Sequence, residues 1–168
     1  MPATVNVNMR TVVHAASSGM VMGFPDVCKT PSPAGPIPIP YPNIAMSSDT
    51  SDGSSTVKCD GEKVMIQGSV FSKSNGDEAG VAGGVVSNCN MGKAEFILYS
   101  FDVKFEGKNV CRLGDLMLHN EMGSTPNTPP MPEVQPPCIG IVLPDVEEPE
   151  QKQAQRQARL KSIEEDRS

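Results

Sequence analysis

The side chains in this sequence best suited to chemistry are two histidines, His14 and His119, and five cysteines, Cys28, Cys59, Cys89, Cys111 and Cys138. Thiolate and imidazole are the usual zinc ligands, and four of them close a tetrahedral structural site. His14, Cys28, Cys111 and His119 are the candidate set, at long spacings and with no C-x-x-C pair among them. A small domain short of aromatic core gains from such a metal staple, which makes structural zinc the expected cofactor. His14 also reads as a surface histidine at a strand end, Cys59 as a hairpin residue and Cys89 as a loop thiol; Cys138 falls in a late proline-rich stretch. A Cys–His pair would permit thiol catalysis, but no G-x-S-x-G, Walker loop or H-E-x-x-H accompanies it. Asp77-Glu78 reads as a solvated carboxylate pair in a polar loop, and the glycines at 80–84 follow no strand-to-helix pattern. No enzyme is expected on these grounds. The alternative is a small metal- or thiol-dependent secreted enzyme or toxin.

Positioning those residues falls to a chain organised around FPDVCKTPSPAGPIPIPYPN, residues 24–43. From Pro36 to Pro42 every second residue is proline, which fixes φ and removes a backbone donor, so no helix passes through. An extended chain would put the prolines on one side and Ile37, Ile39 and Tyr41 on the other. Apolar neighbours (Phe24, Val27, Cys28 and Ile44) make this a rigid packed segment rather than a disordered polyproline ligand. Over the whole 168 residues, 15 glycines, 16 prolines and the absence of Trp suit a turn-rich, mainly β structure with thin layers. The net charge of −6 argues against nucleic-acid binding, and no apolar run is long enough to span a membrane. The N-terminus lacks a basic region followed by an apolar stretch, so the expected starting compartment is a cytoplasm with free thiols.

Two related stretches stand out. Residues 57–68 read VKCDGEKVMIQG and residues 103–114 read VKFEGKNVCRLG, both fitting V-K-x-(acid)-G-x-x-V-x-x-x-G. An acid-Gly pair between alternating runs is a hairpin signal, so two equivalent hairpins on a small pseudosymmetric body are expected. Residues 1–23 read as one or two short weakly alternating strands. The organisation expected is a main domain over 1–122, a proline-rich extension over 123–146 with a short strand near Ile139, and a charged tail over 147–168. In that tail acidic residues lead and basic ones follow, as suits a helix dipole.

The combination of FPDVCKTPSPAGPIPIPYPNIA, GDEAG and KAEFILYSFDVKFEGKNVCRLGD resembles the PAAR-like domain family of type VI secretion systems, over roughly residues 5–120. Asn109-Val110-Cys111-Arg112 stands where that family has Pro-Ala-Ala-Arg, with Gly114-Asp115 following. The resemblance implies a conical β-rich tip that caps the blunt end of a trimeric VgrG spike, made in a bacterial cytoplasm and then delivered by the injection apparatus. It also implies zinc near the apex, for which His14, Cys28 and His119 fall in the right segments and Cys111 lies beside the motif. An effector or its adaptor would attach through the tail. A single chain meeting a threefold partner must present three similar faces. The two repeats supply two, and the strand bearing Ile37, Ile39 and Tyr41 is the candidate third and the candidate partner-binding segment. The base is expected to be mainly apolar.

Overall fold

The computed structural model describes residues 3–136; the expected charged helix over 147–168, the short strand near Ile139 and Cys138 lie outside the described residues. Within them the mainly β expectation holds. The chain runs through β1 (Asn6–Val7), β2 (Arg10–Thr11), the long antiparallel pair β3 (Met20–Thr30) and β4 (Ile37–Met46), then β5 (Thr50–Ser51), β6 (Lys58–Cys59) and β7 (Glu62–Lys63). It continues through β8 (Val70–Phe71), β9 (Ser74–Asn75), β10 (Lys93–Phe96), β11 (Lys104–Phe105), β12 (Lys108–Asn109), β13 (Leu116–Glu121) and β14 (Met131–Pro132). A five-stranded sheet has the order β14-β13-β10-β8-β5, and a second has the order β3-β4-β9. Between them lies an apolar core of Val13, Val21, Ala45, Met65, Phe71, Ala94, Phe96, Cys111 and Met117, with Phe71 and Phe96 edge to face at 5.9 Å. No helix among the described residues is long and apolar enough to cross a membrane.

The proline run forms β4, and its chemistry shows in the register. Pro38 opposes Lys29 and Pro40 opposes Val27. The Lys29 N–H donates to the Gly83 carbonyl at 2.8 Å, and the Val27 carbonyl accepts from Val85 N–H at 2.9 Å. Those groups therefore point away from β4, so the proline pairs are the non-hydrogen-bonded ones and the proline nitrogens face outward. Between residues 38 and 40 the outer edge of β4 offers no proline N–H to a passing strand, which protects it from edge-to-edge pairing.

The equivalent short hairpins are three, not two: β1–β2, β6–β7 and β11–β12. Each turns on two consecutive left-handed residues: Asn8 and Met9 (φ 52° and 63°), Asp60 and Gly61 (53° and 83°), and Glu106 and Gly107 (54° and 77°). That is the primed turn whose twist matches flanking strands. Downstream the three copies join in a ring. The isolated bridges are Val12 with Arg112, His14 with Val64, and Ile66 with Val110. The ring closes through Val13 N–H to the Cys111 carbonyl at 3.1 Å, Cys111 N–H to the Met65 carbonyl at 3.0 Å, and Met65 N–H to the Val13 carbonyl at 2.8 Å. Side chains repeat the same cycle: Ser17, Ser69 and Asp115 accept from the N–H groups of His14, Ile66 and Arg112 at 3.3, 2.9 and 2.8 Å. Val7, Val12, Cys59, Val64 and Val110 fill the space between the hairpins, flanked by Val5, Val103 and Phe105.

This corrects the expectation about the third face. The third equivalent unit is residues 5–16, VNVNMRTVVHAA, and not the strand with Ile37, Ile39 and Tyr41. Ile37 is half exposed at the end of the β3–β4 ribbon, and the Tyr41 hydroxyl lies 2.7 Å from the Thr30 hydroxyl. The segment after residue 122 is also joined to the body. β14 pairs with β13, Val134 exchanges 2.8 Å backbone bonds with Met20, and Gln135 reaches the Thr11 hydroxyl at 2.8 Å. Proline forbids a helix there, but an edge strand accepts it at Pro132.

Candidate functional site

The four expected zinc ligands fall at separate places in this fold. His14 is fully buried at the junction of the first two hairpins, where Ile66 and Arg112 are its equivalents, and its Nε2 lies 3.2 Å from Asp60 Oδ2. The Thr4 hydroxyl and N–H hold the Asp60 carboxyl below its usual range. Cys111 belongs to the backbone ring and the apolar core, where burial pushes its thiol up. His119 on β13 is fully buried, and burial lowers its imidazole to about 4 despite the attraction of Asp26. Neither ring nitrogen of His119 has a hydrogen-bond partner among the described residues. Cys28 lies instead with Asp26 and Asp77, and among the described residues these three form the group whose donor atoms all lie within 4.8 Å of one another.

Chemically, that trio is a thiol between two buried carboxyl groups. The Cys28 thiol donates toward Asp26 Oδ1 at 3.6 Å and Asp77 Oδ2 at 3.7 Å. Burial first, then the two carboxylates, pushes the thiol up, and burial likewise raises Asp77. A protonated thiol is a poor nucleophile. A zinc tetrad of His14, Cys28, Cys111 and His119 does not fit this arrangement, because two of its members serve the hairpin ring and only Cys28 reaches the acidic trio.

The ring is the arrangement with the clearest capacity for work. Its third corner is held by Arg112, whose Nε and Nη2 donate to Asp115 at 3.1 Å each while Nη1 donates to Asn8 Oδ1 at 2.7 Å. Arg10 adds a second cation to the same Asp115 at 3.1 Å. Both members of the Arg112–Asp115 fork are buried, which makes the pair a positioning device for the turn after the third hairpin. At the second corner the Glu106 carboxylate accepts from the N–H groups of Ser55, Thr56 and Val57, which holds it at about 2. The equivalent positions Asn6, Lys58 and Lys104 are exposed, with Lys58 directly opposite Lys63 and Lys104 opposite Asn109; Lys108 and its equivalent Glu62 are exposed on the other face. The hairpins' apolar residues turn inward to fill the space between them, and their exposed positions carry both signs of charge, with Glu62, Asp102 and Glu106 beside the lysines.

Asp26, Asn120 and the first hairpin were not singled out from the sequence. For the hairpin a signal existed, since Val5 and Val12 keep the seven-residue spacing of Val57 and Val64. For the amides there was none, because their partners are far apart in the chain.

A body of short strands closed on a ring of three equivalent hairpins gives one chain a pseudo-threefold face. The chain belongs to the toxin PAAR-like domain family, whose model matches residues 19–129. It is 42% identical over 132 residues to the DNase toxin Tse7 of Pseudomonas aeruginosa, a match covering 74% of this chain and 34% of that protein. The matched stretch is thus about a third of the relative's length. No solved structure matches the chain. The relative corrects one expectation: the sequence motifs pointed away from any enzyme, yet this kinship is with a protein named as a DNase toxin.

Proposed function

We propose that this chain caps the trimeric VgrG spike of a type VI secretion system and serves the delivery of a DNase-type toxin activity into a target cell. The observation that carries this reading is the ring of hairpins 5–16, 57–68 and 103–114, which gives one chain the symmetry of a trimer's end. A heterologous single copy can satisfy three equivalent surfaces only if it repeats its own contacts about the axis. The family and the DNase relative support the delivery role, while zinc has no support in the donor set. Co-purification with the cognate spike trimer tests the cap. The double charge reversal Lys58→Glu with Lys104→Glu changes equivalent exposed positions of two hairpins, so it should leave the melting temperature unchanged and weaken capture more than tenfold. Undiminished capture by the double variant would remove the hairpins from the interface.

A second reading rests on the relative's name alone: the chain itself takes part in DNA cleavage. Incubating the purified chain with supercoiled plasmid and a divalent cation tests it. Nicking supports direct cleavage, and intact plasmid returns the activity to whatever the cap delivers.

A further inference from the structure

We infer that the side-chain amide of Asn120 stands where a cation would join Asp26, Cys28 and Asp77, so that this part of the fold is closed by hydrogen bonds and holds its shape without a metal. Asn120 Nδ2 lies 3.1 Å from Asp26 Oδ2, 2.9 Å from Asp77 Oδ2 and 3.6 Å from Cys28 Sγ. One nitrogen therefore contacts every donor of the only group among the described residues that could share an ion.

The orientation of that amide follows from its other end. Asn120 Oδ1 lies 3.0 Å from the Gly92 backbone nitrogen, which can only donate, so the oxygen must face Gly92 and the NH2 must face the acids. Gly92 is needed for this approach, since a Cβ there would come 2.9 Å from the same oxygen. Asn127 is fixed in the same way: its Oδ1 accepts from Val86 N–H at 2.9 Å, which turns its Nδ2 toward Asp26 Oδ1 and the Val27 carbonyl. Asn43 Nδ2 donates to Asp26 Oδ2 at 2.6 Å. Asp26 thus accepts from three amides, and Asp77 accepts from Asn120 and from the Met91 N–H at 3.0 Å.

These bonds reach across β3 (Asp26, Cys28), β4 (Asn43), the loop holding Asp77 and Gly92, β13 (Asn120) and the segment holding Asn127. That is the work of a metal staple, done by neutral donors. An entering ion would have to expel the Asn120 NH2 and leave the Gly92 N–H and the Asn127 amide to find new partners, an unmade-bond cost at each. The inference is independent of spike capping, because it concerns what holds the cap together and not what the cap binds.

The test uses the full chain purified without chelator. Metal content should be well below one zinc per chain, and the melting temperature should be the same with EDTA and with added zinc chloride. Asn120→Ala should lower the melting temperature by several degrees in a metal-independent way. Where that variant fails to fold, Cys28→Ser decides: its melting temperature should stay near wild type and remain insensitive to EDTA. Near-stoichiometric zinc, with EDTA lowering the melting temperature of wild type but not of Cys28→Ser, would overturn the inference.

Discussion

Glu133 offers a sharp test of how β14 is held. Its backbone is pinned on both sides: the N–H donates to the Asp115 carbonyl at 3.1 Å, and the carbonyl accepts from Gly114 N–H at 2.9 Å. Its side chain has no exposure and lies over Gly19, where a Cβ would collide with Oε1. Burial, against a weaker pull from Gln135, raises its carboxyl from 4.5 to about 8. The folded chain therefore keeps a proton that the unfolded chain releases between pH 4.5 and about 8. The native state binds more protons in that window, so stability is complete below it and falls as pH rises through it. The slope is about 1.4 kcal/mol per pH unit from this one group, flattening above the window when both states are ionised. Urea unfolding at a series of pH values across the window, for wild type and Glu133→Gln, isolates the contribution. The variant should lose the slope and overtake wild type at the alkaline end. Parallel curves for the two proteins would mean that Glu133 is already ionised in the fold, and the burial argument would be refuted.

Three other perturbations follow from the same structure. Met65→Ala removes a fully buried side chain from the apolar core and should cost ~2–5 kcal/mol by urea unfolding, while Met9→Ala at a 98% exposed turn should change stability little. Arg112→Ala leaves Asp115 buried beside Arg10 alone and should cost about 3–5 kcal/mol, with Arg112→Lys recovering only part because the two-pronged geometry is lost. His119, lowered from 6.5 to about 4, stays neutral in the fold and charges on unfolding, so its contribution is present above pH 6.5 and is lost as pH falls toward 4; His119→Gln should flatten that acid limb.

The sequence revealed the hairpins in proportion to how plainly their turns were written. Asp60-Gly61 and Glu106-Gly107 carry the residues that a primed turn favours, and both were found. Asn8-Met9 makes the same turn with a methionine at φ 63°, an uncommon choice that hid the first copy, and Ala16 stands where the other copies end in glycine. The proline run is extended and paired along β4, but it is not packed: Ile37, Pro38, Pro40 and Pro42 are exposed and Ile39 and Tyr41 half-buried. The third face is residues 5–16 instead, because they keep the Val-to-Val spacing of the two repeats and the proline run does not. The four candidate zinc ligands lie apart in the fold for a related reason. Residue types at long separation say what could bind a metal, but only the fold says which of them meet, and here Cys28 meets two aspartates and the amides of Asn120 and Asn127 instead. The kinship with a DNase toxin rests on the relative alone.

Native mass spectrometry of the chain mixed with its cognate spike trimer addresses the threefold ring most directly. The expected species is one copy of this chain on three spike chains, at any excess of the cap, and it should disappear with the Lys58→Glu, Lys104→Glu pair. Three caps per trimer, or a complex that survives both reversals, would contradict a single chain meeting a trimer through its own repeated hairpins.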